Sequence, residues 1–422
     1  MFIARRLLSL LIASGLLFLL FTTLRSSSLK QSWEHIPQLV GLGENYPTKE
    51  QIASGENILP DLRASRPRPA EHKDVFPAGV PKPQGSNYTR TLVIPYQKNE
   101  KIAWIEKELG DLLALDGLLS TALYAVDDVE APLHTSKNKG HEVMVYLTYI
   151  IEHYEDLADI SMFMHSHRWA WHNNELLDQD AAAMVRYLFP ERVIREGYMN
   201  MRCHWDPGCP DWLHPGAVTI NGRKKEEKIF AEYWGQVFPL DPIPAVLAQP
   251  CCAQFAVSRD RIRALPRSRY IELRDWLLRT ELSDYLSGRF FEYTWQYIFT
   301  GNSVECPAMH ICYCDGYGFC FGGASKFNDW FELRYRWREY KRELKQWQAK
   351  KVALDNARAD GTLAETSDLD IPAVGRDEFL EGEIAAMNVE IQRTRDDAFI
   401  RGRMANVRAQ EAGRPWKESD VS

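Results

Sequence analysis

The sequence predicts an α/β protein: a mostly parallel sheet with helices on both faces, set between an N-terminal transmembrane helix and a C-terminal helical extension. Three observations carry that prediction. Short apolar runs alternate with amphipathic stretches through the middle of the 422 residues. An uncharged run of 18 residues, Leu7 to Leu24, follows Arg5 and Arg6. Charge density then jumps near Gly322-Gly323, with 37 of the last 99 residues charged against about 22% of those before. The whole chain has 51 basic and 58 acidic side chains, a net charge of −7 and 45% hydrophobic residues. That excludes a disordered chain, a collagen and a multi-span membrane protein, and argues against a general nucleic-acid binder.

As a helix the first run would be about 27 Å long, enough for a thin bilayer core. A cleaved signal peptide is the competing reading. Its apolar core is ordinarily about 7–15 residues with a small-residue cleavage site, which Thr22-Thr23-Leu24-Arg25 does not offer. Positive charge ahead of the run keeps residues 1–6 cytoplasmic and makes 7–24 a signal-anchor, so the expectation is a type II protein of the Golgi or secretory pathway. All eight cysteines (Cys203, Cys209, Cys251, Cys252, Cys306, Cys312, Cys314 and Cys320) follow the anchor, and an even count there reads as disulfides. Zinc on the last four is the alternative, but paired Cys-x2-Cys knuckles are missing. Asn87-Tyr88-Thr89 is a glycosylation sequon, and residues 25–88, broken by prolines, read as a stem.

From 89 to 323 the elements follow in order. Leu92-Val93-Ile94 is a short buried strand, with a helix from about Trp104 to Leu115. Thr121 to Val126 is a second strand. Val143, Tyr146, Leu147, Ile150, Ile151 and Tyr154 then form one helical face. Ile160 to Met164 is a third strand, followed by a helix from about Asn174 to Leu188. Phe255 to Val257 is a strand turning into a helix at Ser258, whose hydroxyl would cap it. An aromatic helix runs from about Tyr285 to Phe299. In 324–422, Trp330, Leu333, Trp337, Tyr340, Leu344 and Trp347 make an apolar seam on one helix. Self-association through 327–351 is one reading of it; a helix packed back on its own domain is the better one.

Ligands of parallel sheets bind beyond the carboxyl ends of the strands. Just past the three strands stand Lys98-Asn99-Glu100, Asp127-Asp128 and His165-Ser166-His167-Arg168, the last continuing to Trp171 and His172. Arg and His suit phosphate contacts and Trp suits stacking on a sugar or base. His165, His167 and His172 are a weaker metal candidate, because no carboxylate in the segment completes a ligand set. Glu292 lies among Phe291, Trp295 and Phe299, where an apolar setting would raise its pKa for acid/base work; pairing with Arg289 is the bland alternative.

Asn138-x-Gly140-x-Glu142, Tyr146-Leu147-x-x-Ile150, Leu157-x-Asp159, Phe163-x-His165-x-His167-Arg168 and Gln254-Phe255-Ala256-Val257-Ser258-Arg259 together resemble a fungal family catalogued as domain of unknown function 3431, over roughly Thr89 to Gly323. More distantly, the layout is similar to GT-A glycosyltransferases, nearest the metal-independent branching N-acetylglucosaminyltransferase and xylosyltransferase group. That resemblance implies a nucleotide-sugar donor, a glycan or glycoprotein acceptor and an inverting transfer. It also implies donor-side roles for Asn99-Glu100 and for the Gln254 to Arg259 junction, and a base role for Glu292. The metal-binding Asp-x-Asp of ordinary GT-A enzymes is replaced by His165-Ser166-His167, while Asp178-Gln179-Asp180 falls in a predicted helix. No divalent metal is expected, so Arg168, Arg259 or Lys98 would neutralise the donor diphosphate. A non-catalytic glycan-binding scaffold and a His-dependent metallohydrolase are the alternatives.

Overall fold

The computed structural model describes residues 76–416 apart from 84, 115–117, 216–223, 225 and 362–372. The cytoplasmic tail, the anchor run and most of the stem lie outside the described residues. Among the described residues no helix is long and apolar enough to cross a membrane.

Five strands, β1 (Arg90–Tyr96), β2 (Leu119–Ala125), β3 (Ile160–Phe163), β4 (Tyr198–Asn200) and β5 (Phe255–Ser258), form one sheet in the order β2-β1-β3-β5-β4. β1 pairs in parallel with β2 and β3, whereas β5 runs antiparallel to both β3 and β4. Four strands therefore point one way and only β5 is reversed. Around them lie α1 (Trp104–Ala114), α2 (Val143–Glu152), α3 (Ala181–Tyr187), α4 (Pro190–Glu196), α5 (Glu227–Val237), α6 (Arg259–Arg263), α7 (Arg267–Arg279), α8 (Asp284–Glu292), α9 (Trp295–Thr300), α10 (Met309–Tyr317), α11 (Ala324–Ala359), α12 (Arg376–Gly402) and α13 (Ala405–Glu411).

The pleat divides the core in two, because successive side chains leave opposite faces of a strand. Val93, Phe163, Phe255 and Val257 join α2, α5 and α7–α9 on one face. Leu92, Ile94, Ile160, Met162 and Ala256 join α1, α3, α10, α11 and α12 on the other. Nine of the ten residues of α2 are buried, which explains why its sequence is apolar almost all round.

Two predicted helices are broken. Asp178 and Gln179 adopt φ of 53° and 58°, splitting the Asn174–Leu188 stretch into a single 3-10 turn and α3. Asp180 therefore lies outside a helix interior: its carboxylate accepts from Ala182 N at 2.9 Å and caps α3. The aromatic stretch 285–299 breaks after Glu292, where Thr294 Oγ1 turns back to Phe290 O at 3.0 Å before α9 begins.

The jump in charge at Gly323 is not a boundary in packing. Phe327 and Trp330 share the core that holds Leu92 and Met162. Trp330 Nε1 donates to Ile391 O at 3.0 Å, and Arg376 clasps Glu343 with two bonds of 2.7 and 2.9 Å, so α11 and α12 form an antiparallel hairpin. Arg338 reaches Glu175, and Arg395 pairs with Asp178 at 2.8 Å. The aromatic seam is thus covered within the chain, and the charges line the hairpin's other sides.

The last residues of the stem are also tied down. Lys82 Nζ meets Asp159 at 2.7 Å, and Gly79 N donates to Arg195 O at 2.9 Å. All eight cysteines pair, as Cys203–Cys312, Cys209–Cys306, Cys251–Cys252 and Cys314–Cys320. The first two bind the chain after β4 to α10 and to the segment before it. Four disulfides fit a lumenal protein of the secretory pathway.

Trp330→Ala tests whether the extension is integral. Removing this 2% exposed ring and its hydrogen bond should cost about 3–5 kcal/mol. Denaturant unfolding should give a single transition at lower midpoint; an unchanged midpoint would mean that the hairpin contributes nothing to the core.

Candidate functional site

The carboxyl ends of the parallel strands do converge. After β1 the turn 97–100 folds over the end of β2, with Lys98 N donating to Asp127 Oδ1 at 3.1 Å and Lys98 Nζ meeting Asp128 at 3.1 Å. The Lys98 ammonium holds the Asp128 carboxyl below its usual range. Asn99 is exposed at the tip of this turn. Glu100 Oε1 lies 3.6 Å from His167 Nδ1, which itself sits 3.0 Å from Ser166 Oγ, joining the loops after β1 and β3. Trp104 Nε1 donates to Ser166 O at 2.8 Å beneath them.

Past β3 the chain carries its histidines inward. The His165 and His172 rings pack edge to face with centroids 4.9 Å apart, and Trp171 stands over Arg202 at 5.4 Å. Each of these two imidazoles keeps some exposed edge, yet its Nε2 is sealed from solvent and has no hydrogen-bond partner among the described residues. Burial first, and then neighbouring positive charge, pushes the His165 pKa down to about 4 and that of His172 to about 2. Both rings are neutral at pH 7. His167 turns away toward Glu100, so the three imidazoles do not converge on one ion, and the metallohydrolase set is not assembled. Arg168 is not available for a diphosphate. Its guanidinium is held by Asp180 at 3.0 and 2.9 Å and by Glu108 at 2.6 Å.

Reversal of β5 decides the fate of the Gln254 to Arg259 motif. Phe255 pairs with Phe163 and Ser258 with Ile160, so the strand begins at the site edge and ends at the opposite one. Gln254, with no exposure, accepts from His165 N at 3.2 Å and donates to Asn173 Oδ1 at 2.9 Å. It clamps the loop after β3. Ser258 and Arg259 are carried about 13 Å away by four residue steps. There Ser258 Oγ accepts from Arg261 N at 3.2 Å to cap α6, as expected, and Arg259 pairs with Asp159 at 3.2 Å. Neither is placed to touch a ligand at the strand ends.

Glu292 is buried but saturated. Arg289 Nη1 binds its Oε2 at 2.6 Å, Cys252 N donates to its Oε1 at 2.7 Å, and the other side of Arg289 pairs with Glu226 at 2.7 Å. The pairing with Arg289 is the arrangement present. The strand approach that supplies Cys252 N is left-handed at Cys252 and Ala253, φ 82° and 48°, beside the Cys251–Cys252 bridge.

A second carboxylate was hidden in the family motif. Gly140 and His141 adopt φ of 67° and 53°, turning the chain so that Glu142 opens α2. A Cβ on Gly140 would come within 2.7 Å of Leu277, so the turn is built on glycine for both conformation and space. Desolvation, with the Glu292 charge nearby, pushes the Glu142 pKa up to about 8. One turn further, Tyr146 lies on the same face, and its hydroxyl, the Tyr293 hydroxyl and Trp295 Nε1 are buried without partners. Spacing alone could not reveal this, because Glu142 precedes an apolar helix as an ordinary first-turn acid would.

Against this geometry stand the comparisons with known proteins. The model of a family described as a protein of unknown function (DUF3431) matches residues 92–315, more than half of the chain, and the protein belongs to that family. The match spans β1 to α10 and so includes every residue of the strand-end cluster. No curated protein and no solved structure matches the chain.

The neutral histidine pair makes stability fall in acid. The unfolded chain takes up protons on both rings near pH 6.5, whereas the folded chain does so only near pH 4 and below. Their contribution is therefore complete above pH 6.5 and lost as pH drops toward 4. Denaturant unfolding from pH 7 to 4.5 should show this decline, with a shallower slope in His172→Phe; equal slopes would contradict the buried neutral pair.

Proposed function

We propose that the protein is a glycosyltransferase-like enzyme of the secretory-pathway lumen, moving a sugar from a nucleotide-sugar to a hydroxyl of a glycan or glycoprotein. The Leu7–Leu24 run would anchor it as a type II membrane protein, and a GT-A-like arrangement of the sheet belongs to the same reading. The observation that carries it is a desolvated carboxylate, Glu142, whose pKa is pushed up to about 8, next in sequence to His141, whose charge acts on His165 past the end of β3. Exposed Asn87 suits the glycosylation expected of its sequon.

In this reading Glu142 replaces Glu292 as the base. It accepts the acceptor hydroxyl's proton while that oxygen bonds to the anomeric carbon, and the bond from that carbon to the diphosphate oxygen breaks with its electron pair leaving on the nucleotide. Glu292 holds Arg289 and the Cys252 turn in place. Lys98, exposed on the turn after β1, serves the leaving diphosphate, since Arg168 and Arg259 are engaged elsewhere. Asn99, Asp127, Asp128 and exposed Trp169 form the rim that would meet nucleoside and sugar. The step requires no divalent ion.

A non-catalytic glycan-binding protein is the second reading. It is favoured by one observation, the complete engagement of Glu292 by Arg289 and the Cys252 amide.

A thermal-shift panel of nucleotide-sugars on the purified chain, followed by product assay in chelator, separates the readings. The transferase should be stabilised by at least one donor and turn over without added metal. Its rate should rise with pH to a plateau above about 8, because the ionised Glu142 is the active form. Glu142→Gln should retain the donor shift and lose at least about a hundredfold in turnover. A folded sample with no donor shift would sink this reading, and glycan binding without turnover would select the second.

A further inference from the structure

At the edge of the sheet away from the strand-end site, a cavity of about 370 Å3 lies between the start of β1, the α3–α4 junction and the end of α12. Arg90, Arg186, Phe189, Glu191, Phe399 and Arg403 are among its walls. Six residue steps of β1 separate Arg90 from Tyr96, or roughly 20 Å, so this is not the strand-end site.

Arg90 is the anomaly. It is 9% exposed, and among the described residues its guanidinium donates one hydrogen bond, from Nη1 to Val185 O at 3.0 Å, with no carboxylate oxygen within 4 Å. Val185 lies in the last turns of α3, so that bond caps a helix end and uses one of five donors. Buried charges are ordinarily paired. Here burial and the neighbouring Arg186 both push the Arg90 pKa down, and no negative group offsets them. Arg186 brings no free charge, since Asp111 holds it with two bonds of 2.7 Å. Arg403, exposed at the rim, stands over the Phe399 ring at 5.3 Å and pairs with no carboxylate among the described residues. Glu191 contributes the opposite need: its Oε2 is buried with no donor among the described residues.

We propose that this cavity binds a small hydroxylated anion, a sugar carrying a carboxylate or a phosphate. Its acid group lies on Arg90 and Arg403, and one of its hydroxyls donates to Glu191 Oε2. Arg90, Arg403 and Arg408, which stacks on Phe189 at 3.9 Å and interacts with Glu191, outnumber that one carboxylate, so the surroundings carry positive charge for the ligand to neutralise. The volume is that of a small-molecule site, and the Phe189 and Phe399 rings give the ligand's apolar face something to lie against. A guanidinium fork suits either acid group.

Isothermal titration of the purified full chain with glucuronate, glucose 6-phosphate, glucose and inorganic phosphate tests this. At least one acidic sugar should bind and glucose should not. Glucuronate alone would identify a carboxylate ligand, and glucose 6-phosphate alone a phosphate. Arg403→Ala, at an exposed rim position, should fold normally and weaken binding about tenfold or more. Arg90→Gln should abolish it. A folded Arg403→Ala or Arg90→Gln with unchanged affinity would place the anion elsewhere, at the strand ends for example, and overturn the proposal. So would absence of heat with both acids, glucose binding as well as they do, or inorganic phosphate binding as tightly as glucose 6-phosphate.

Discussion

The Gln254 side chain holds the site-bearing edge together. It comes from the start of β5 and spends its oxygen on His165 N and its nitrogen on Asn173 Oδ1, with no exposure to water. Asn173 in turn donates from Nδ2 to Arg168 O and Gln179 O at 3.1 and 3.0 Å. One amide thus fixes both ends of the loop that carries His165, His167, Arg168, Trp171 and His172. In a buried setting each unmade bond of such a chain costs the full desolvation of its atom, which makes the loop's conformation all-or-none. The His165–His172 contact, the neutral state of both rings and the orientation of Trp171 over Arg202 are consequences of that clamp.

The same strand shows where reading the sequence succeeds and where it stops. Alternating apolar residues, helical faces and the Ser258 cap are local, and they were legible as strands β1–β3 and β5 and helices α1 and α2. Direction is not local. Residues beyond β1, β2 and β3 meet because those strands are parallel, but the identical rule applied to β5 selects Ser258 and Arg259, which end on the far edge beside Asp159. Nothing in Gln254-Phe255-Ala256-Val257-Ser258-Arg259 states that β5 is antiparallel. Composition misled in a similar way at Gly323, because charge density reports exposure of the hairpin's outer sides and not independence of its aromatic seam.

Glu292 and Glu142 differ through what each environment offers the ionised form. Glu292 has a guanidinium and a backbone N–H on its two oxygens, so burial is compensated. For Glu142 desolvation outweighs a backbone hydrogen bond and the attraction of Arg289, and the neighbouring Glu292 adds repulsion. The arginine shared by Glu226 and Glu292 also attracts this third carboxylate, but desolvation outweighs that attraction. Sequence reasoning found the acid in the aromatic helix because its setting was apolar. It overlooked the other because the desolvation of Glu142 comes from its packing in the folded chain, which spacing does not show.

Cations on both edges of the sheet are matched by carboxylates, and the exception locates the unfinished chemistry. At the strand ends Arg168 is matched by Glu108 and Asp180, and Lys98 by Asp128. At the far edge Asp159 gathers Lys82 and Arg259, and Asp315 gathers Arg192, Arg195 and Arg414. Beside these matched sets Arg90 stands buried with a carbonyl as its side chain's one hydrogen-bond acceptor among the described residues. Arg192 and Arg289, buried to a similar degree, are neutralised by carboxylates, whereas Arg90 is left charged at a cavity wall. The same holds for Nε2 of His165 and His172, which point polar capacity at no protein atom. Both departures fall where a bound molecule would complete the pairing that the rest of the chain supplies for itself.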